Sequence, residues 1–422
     1  MDKQPVIIRK PSFWIAVVCF AVALLIGLGD NPLKQKNDSS NSAKNNKNYG
    51  ASARDGMSDV RRSKRIRNDE LTEAQRRQLQ AMLRKYGFLE KGEILTKERI
   101  NAITELKFGG VSEDDLFLLR FFPNLEKLLF AGCRISDISG LQGMQNLKHL
   151  DLTKTKVSDI SVLLGMQNLN YLSLGYTKVS DISALQGMQN LEHLDLNSTT
   201  VSDISALQAM QNLKHLNFND TKVSEISALQ GMQNLNDLNL RKTKVSDISV
   251  LQSMQNLEHL SLTRTKVSDI SVLQGMQNLE YLKLNLTRVS DISALQGMKS
   301  LGYLDLSYTK ISDISALQGM QNIRQLRFSY TQVSDISALE GMQQLEYLNM
   351  ESTKITDISA LEGLRNIRTL YFSSTKVSDI TALQGMQNLK NLNLKNTQVS
   401  DTSPLQGLQN FRIEGLRKKN NP

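Results

Sequence analysis

All four histidines of the chain sit in one phrase, "NLKHL" or "NLEHL", as His149, His193, His215 and His259. Imidazole is the commonest metal ligand and the usual general base near neutral pH. His193 and His215 stand 22 residues apart, with Asp195 close to the first. Two imidazoles and a carboxylate at one repeat spacing suggest a metal pair. The expectation is nevertheless against chemistry. Neighbouring strands of an open sheet offer neither a pocket nor the outer hydrogen-bond partners that hold metal ligands in place. No GxSxG, HExxH or phosphate-loop pattern occurs. Serine and aspartate are abundant, but in slots that recur in every copy. Such uniformity builds architecture, not a unique catalytic constellation. No catalytic residue, metal or cofactor is expected.

The elements that must carry the histidines follow from a repeat. From Leu125 to Asn410 the chain writes LxxLxLxxTKVSDISALQGMQN 13 times, with a period of 22 and no insertion. A degenerate copy, Ile103 to Asn124, keeps apolar residues at Ile103, Leu106, Phe108, Leu116, Leu119 and Phe122. The repeat region is therefore 103–410, 14 units. A period in this range signals stacked coils, none of which can bury its apolar face alone. Within one coil, Leu147, Leu150 and Leu152 alternate as an inward-facing strand requires. "SDIS" begins a short helical turn capped by Ser158 or Asp159. Pro404 fits the first turn of the last copy, where no N–H is needed. Ile160, Leu163 and Met166 close the coil. Asn168 is expected to turn inward and satisfy backbone groups of the bend. The Lys and Asp of "TKVSD" form exposed ladders of opposite sign, read as a solvated face.

This phrase resembles the leucine-rich repeat, in the short 22-residue bacterial form of internalin-like proteins, over about three-quarters of the chain. The resemblance implies an α/β repeat solenoid: a horseshoe with a concave parallel β-sheet and short helical turns on the convex side. It also implies protein recognition, with no enzymatic activity. One departure is that Thr155, Thr177 and Thr199 stand where the family usually has Asn, and Cys133 takes that slot in the first full copy.

Variation between copies concentrates beside the strand leucines. The third position of the coil reads Lys127, His149, Tyr171, His193, His215, Asp237, His259, Tyr281, Tyr303, Gln325, Tyr347, Thr369 and Asn391. Eight of these thirteen are His or Tyr. Tyr176, Tyr308 and Tyr330 share the eighth position, and Tyr371 is in the fifth. All four histidines and eight of ten tyrosines thus fall on one strip, the third and fifth positions on the open face and the eighth at its edge. Rigid amphipathic rings suit a binding surface. Cross-strand packing of a ring ladder, spread by duplication, is the plainer alternative. The expected role is binding of a protein partner by this strip, with a ligand-free envelope spacer as the alternative. Asn197, Asn219 and Asn285 begin Asn-x-Ser/Thr triplets there, where glycans would cover it, so bacterial export fits better.

The flanks differ from the repeats. Net charge is +9, yet residues 125–410 hold 25 Lys and Arg against 26 Asp and Glu. The excess lies in residues 31–70, with 10 against 5, and in 411–422, with 4 against 1. A nucleic-acid surface would carry its charge on the fold, so nucleic acid is not expected. Residues 1–29 contain an uncharged apolar run, Phe13 to Gly29, behind Lys3, Arg9 and Lys10. As a helix it would span about 26 Å, close to a bilayer core. It reads as a signal anchor at 13–29 with the repeats outside the cytoplasm, or as a cleaved signal peptide of a secreted protein. Residues 30–70 read as a disordered Asn/Ser/Lys-rich linker ending in "RRSKRIR". Residues 71–102 are expected to form a helical cap opened by a Thr72–Gln75 capping box and ended at Gly87. Residues 411–422 form a short basic tail that closes the other end poorly. Two cysteines, Cys19 and Cys133, make no disulfide framework.

Overall fold

The computed structural model describes residues 71–208, 210–408 and 412–415. The expected anchor, the linker and most of the basic tail lie outside these residues. Among the described residues no helix is long and apolar enough to cross a membrane.

Helix α1 (Glu73–Lys85) opens with the capping box read from the sequence. The Gln75 N–H donates to Thr72 Oγ1 at 3.2 Å and the Thr72 N–H to Gln75 Oε1 at 2.9 Å. Leu79, Met82 and Leu83 are buried, and Gly87 leaves the helix at φ 75°. With α2 (Lys97–Ala102) and Leu89, Leu95 and Ile100, this segment joins the solenoid core. The degenerate first copy is a true coil. It supplies strand β1 (Glu105–Lys107), and its turn is enlarged into α3 (Glu113–Leu116) and a 3₁₀ segment, Phe117–Phe121. Gly140 in the next coil packs on this bulky turn. A Cβ there would lie 2.8 Å from both Leu116 Cβ and the Phe117 nitrogen.

Three-residue strands then stack in chain order, all parallel, from β1 to β15 (Arg412–Glu414). Strands β1 to β14 bury their middle residue and turn the first and third to the open face, as β3 (His149–Asp151) does, while Ile413 of β15 is partly buried. Because no copy carries an insertion, position matches position: His193 pairs with His215, His215 with Asp237, and Asp237 with His259. The sheet continues one strand past the repeats. Ile413 registers with Leu392, which closes more of the C-terminal end than the sequence suggested.

Inside each coil the apolar residues behave as the pattern requires, with Leu147, Leu150, Leu152 and Leu163 fully buried. The threonine that replaces the family's Asn is buried and hydrogen-bonded: Thr155 Oγ1 donates to the Leu152 carbonyl at 2.7 Å. In "SDIS" the aspartate makes the local bond. Asp159 accepts from the Ser161 N–H at 2.8 Å and starts the 3₁₀ turn Ser161–Leu163. That bond and the Ser161 side chain hold its carboxyl below the ordinary value. Asn168 corrects the inward expectation. It is exposed, and its amide reaches sideways to the Gln145 carbonyl of the preceding coil at 2.9 Å. The bend is thus satisfied at the rim, leaving the interior almost wholly apolar.

The eighth position of each of the thirteen full coils is left-handed. Twelve non-glycine residues there, including Lys154, Tyr176, Tyr308 and Tyr330, have φ between 54° and 60°. Only Gly132 occupies it without the Cβ clash.

Candidate binding surface

The strip begins with a ring stack. His149, Tyr171 and His193, on β3, β4 (Tyr171–Ser173) and β5 (His193–Asp195), lie nearly parallel. Their centroids are 3.9 and 4.2 Å apart, with interplanar angles of 4° and 7°. Strand spacing of about 4.8 Å leaves flat rings in van der Waals contact. Burial pushes the His193 imidazole down to about 4, helped by His215 and His149 on either side. Burial also lowers His149, beside Lys127, and lifts the Tyr171 hydroxyl to about 12. These rings are held neutral and half-covered, as a stacked ladder demands.

The stack breaks at His215. Its ring tilts 43° from His193, with centroids 5.7 Å apart, and turns toward Asp237 on the next strand. His215 Nδ1 lies 2.5 Å from Asp237 Oδ2, and His259 Nδ1 lies 2.7 Å from Asp237 Oδ1. One carboxylate therefore bridges two imidazoles across three coils. Burial opposes ionisation of Asp237, but the bonds from His259 and His215 outweigh it and lower its carboxyl. The bond from Asp237 raises His259. This arrangement replaces the suggested His193–His215–Asp195 grouping. Asp195 instead accepts from the Asn197 N–H at 2.9 Å and the Ser173 hydroxyl at 3.3 Å. Among the described residues no three His, Cys, Asp or Glu side chains converge as a metal-ligand set.

Beyond His259 the strip becomes aromatic and cationic. Tyr281 and Tyr303 stack at 4.2 Å and 20°. Lys283 Nζ lies 5.1 and 5.6 Å from their centroids. The Arg327 guanidinium lies 5.4 Å from Tyr303 and 4.5 Å from Tyr347. Tyr347 meets Tyr371 edge-on at 5.9 Å. Asp305, between the two cations in the fifth position, is only 7% exposed and accepts from the Ser307 N–H at 3.0 Å. Burial raises its carboxyl and lowers the Lys283 ammonium. At the edge, Tyr308 and Tyr330 stack at 4.3 Å and stay about half exposed at 48% and 51%. Tyr176 is 52% exposed under the Lys154 ammonium, 5.6 Å away.

The twelve ring positions named from the sequence therefore fall into four groups. His149, Tyr171 and His193 stack. His215 and His259 share Asp237. Tyr281, Tyr303, Tyr347 and Tyr371 line the cationic stretch. Tyr176, Tyr308 and Tyr330 stand at the edge. Sequence reasoning passed over Asp237, Lys283 and Arg327. Their signal was positional: Asp237 interrupts the His/Tyr series, and the two cations sit in the fifth position next to tyrosines. The opposite face carries open acidic clefts lined by Asp335, Ser337, Glu340 and Asp357. Asp335 and Asp357 are already committed to backbone N–H groups of their own turns.

Comparison with known proteins places this geometry. A family profile described as leucine-rich repeats, two copies, matches residues 123–165, 167–209, 211–253, 277–319, 321–363 and 365–407. No curated protein matches the chain. Among solved structures it is similar to an internalin, InlF, of Listeria monocytogenes, at 28% identity and a TM-score of 0.70, covering 82% of this chain and 95% of that one. It shares its fold with a leucine-rich repeat protein of Leptospira interrogans at 18% identity and a TM-score of 0.64, covering 78% and 94%. It also shares its fold with the plant peptide hormone receptor RGFR1, solved in complex with RGF2, at 15% identity and a TM-score of 0.64, covering 75% and 56%.

Proposed function

The chain belongs to the leucine-rich repeat family, and from that premise we propose that it is a non-enzymatic recognition protein. It holds a protein or peptide partner against the open face of its sheet. The observation that carries this reading is the ring-lined strip from His149 to Tyr371, where the repeats vary in chemical type while their core slots stay apolar. Pure ring-ladder packing accounts for the stacked trio His149, Tyr171 and His193. It does not account for Tyr176, which has no ring neighbour among the described residues, nor for the half exposure that Tyr308 and Tyr330 keep while stacked, all three in a backbone conformation that disfavours any side chain. The fold shared with a receptor solved with RGF2 supports a peptide or protein as the occupant. We propose further that residues 13–29, outside the described residues, hold the repeats on the outer side of a membrane. Secretion after cleavage is the other outcome, and the intact mass of the mature protein distinguishes them.

The test is substitution of His193, His215, Tyr281 and Tyr303 by alanine in the full chain, followed by crosslinking and pull-down. The variant is expected to keep its circular dichroism and lose its partners. An unchanged set of captured proteins would sink the reading, and a wild-type chain with no saturable partner would favour a spacer.

A further inference from the structure

The cationic stretch of the strip has chemistry of its own. Among the described residues, neither Lys283 nor Arg327 has a hydrogen-bond or ion-pair partner for its side chain, and the Arg327 Nε is buried without an acceptor. The nearby carboxylate, Asp305, is spent on the Ser307 N–H. An uncompensated buried donor is unfavourable until an acceptor reaches it. Both cations are held over tyrosine faces, which positions them and weakens their hydration. Two ordered cations, each with free donors, flank one committed carboxylate. That leaves a local excess of positive charge on a ring-lined surface.

We propose that Lys283 and Arg327, walled by Tyr281, Tyr303 and Tyr347, bind an extended peptide segment bearing two carboxylates three residues apart. This deepens the recognition reading above and rests on it. The spacing follows from the strands. Lys283 and Arg327 occupy the same position two strands apart, on β9 (Tyr281–Lys283) and β11 (Gln325–Arg327). Parallel strands about 4.8 Å apart put them roughly 10 Å apart along the stack. A segment in polyproline II conformation rises about 3.1 Å per residue with three residues per turn, so acidic residues at i and i+3 lie on one face roughly 9 Å apart and match. The segment runs across the strands and is recognised through its side chains. Each carboxylate takes charge-assisted hydrogen bonds from one cation. Asp305 lies on the strand between the two cations and disfavours a carboxylate on the two intervening residues by repulsion.

The experiment is fluorescence anisotropy of the full chain with dye-labelled peptides of a Gly/Ser background. One probe carries Glu-Ser-Gly-Glu, one Gln-Ser-Gly-Gln, one two adjacent glutamates, and one Glu-Asp-Asp-Glu. Basic residues at Arg61–Arg67 attract any acidic probe, so the readout is the difference between wild type and variant. The Glu-Ser-Gly-Glu probe is expected to bind in a salt-sensitive manner and to lose at least tenfold in affinity with K283Q or R327Q. K376Q, on another face, leaves it unchanged. The adjacent-glutamate and Glu-Asp-Asp-Glu probes bind more weakly. Equal binding by wild type and both variants, or equal binding of the Gln probe, overturns the assignment. If the probes fail while the quadruple alanine variant still loses its captured partner, acidic-peptide recognition falls and the broader reading stands. If that variant keeps its partner, both fall.

Discussion

His193 tests whether the first part of the strip is a stacked, neutral ladder. Its imidazole is wedged between Tyr171 and His215 and its pKa is pushed down to about 4 by burial. An unfolded histidine titrates near 6.5. Between these values the unfolded chain binds the proton and the folded chain does not. The stability contributed by the neutral ring is therefore complete above about pH 6.5 and is lost as pH falls toward 4. Each pH unit within that window is worth about 1.4 kcal/mol at full linkage. Acidification from pH 7.5 to 5 crosses about 1.5 units of it, or about 2 kcal/mol. Solvent at the open edge of the ring reduces this to about 1 kcal/mol. His149 contributes in the same direction, and His259, whose pKa is raised, in the opposite one. A single variant is needed to isolate His193. His193→Phe keeps a flat ring against Tyr171 and removes the proton site. Urea unfolding at pH 7.5 and 5 should show the variant losing about 1 kcal/mol less than wild type on acidification. A histidine titration by NMR should place His193 well below the ordinary histidine value. An identical acid loss in both proteins, or a His193 pKa of 6.5 or higher, refutes the stacked-ladder account.

Three other outcomes follow from the same geometry. Lys154→Gly relieves a left-handed residue at φ 57° and should raise the free energy of urea unfolding by about 0.5–1 kcal/mol, net of the entropy that glycine adds to the unfolded chain. Gly140→Ala forces a Cβ onto the Leu116 side chain and the Phe117 backbone and should cost about 1–3 kcal/mol in the same assay. Asp237→Asn removes the bridge between His215 and His259. It should lower the His259 pKa in NMR, and it should abolish the stability that wild type keeps below pH 6.5 and loses as pH rises through the folded His259 value.

Much of the molecule is readable from one line of text. The leucine alternation, the uninterrupted 22-residue period and the Thr72–Gln75 cap each have a local cause, and each is found where the sequence places it. The degenerate first coil was legible because its apolar slots survive. The enlarged turn on α3 was less so, since its extra helix depends on what Gly140 lets it pack against. Asn168 went the other way. Its type and repetition marked it as a backbone satisfier, but the acceptor lies in the neighbouring coil, so it stays at the rim. Strand β15 was invisible because "FRI" breaks the period by one residue. Its pairing is decided by the free edge of β14 (Asn391–Asn393).

The sequence by itself determined the number of coils, the parallel register and the set of side chains sharing the open face. A constant period allows only one stacking. The tertiary structure decided how those side chains divide their partners. Whether His215 stacks back on His193 or reaches forward to Asp237 depends on rotamers set jointly by the coils on both sides. The same holds for Lys283 and Arg327, which lie against tyrosine faces and leave Asp305 to its own turn. Side chains one coil apart are 22 residues apart in the chain, and their competition is settled only when the stack is closed.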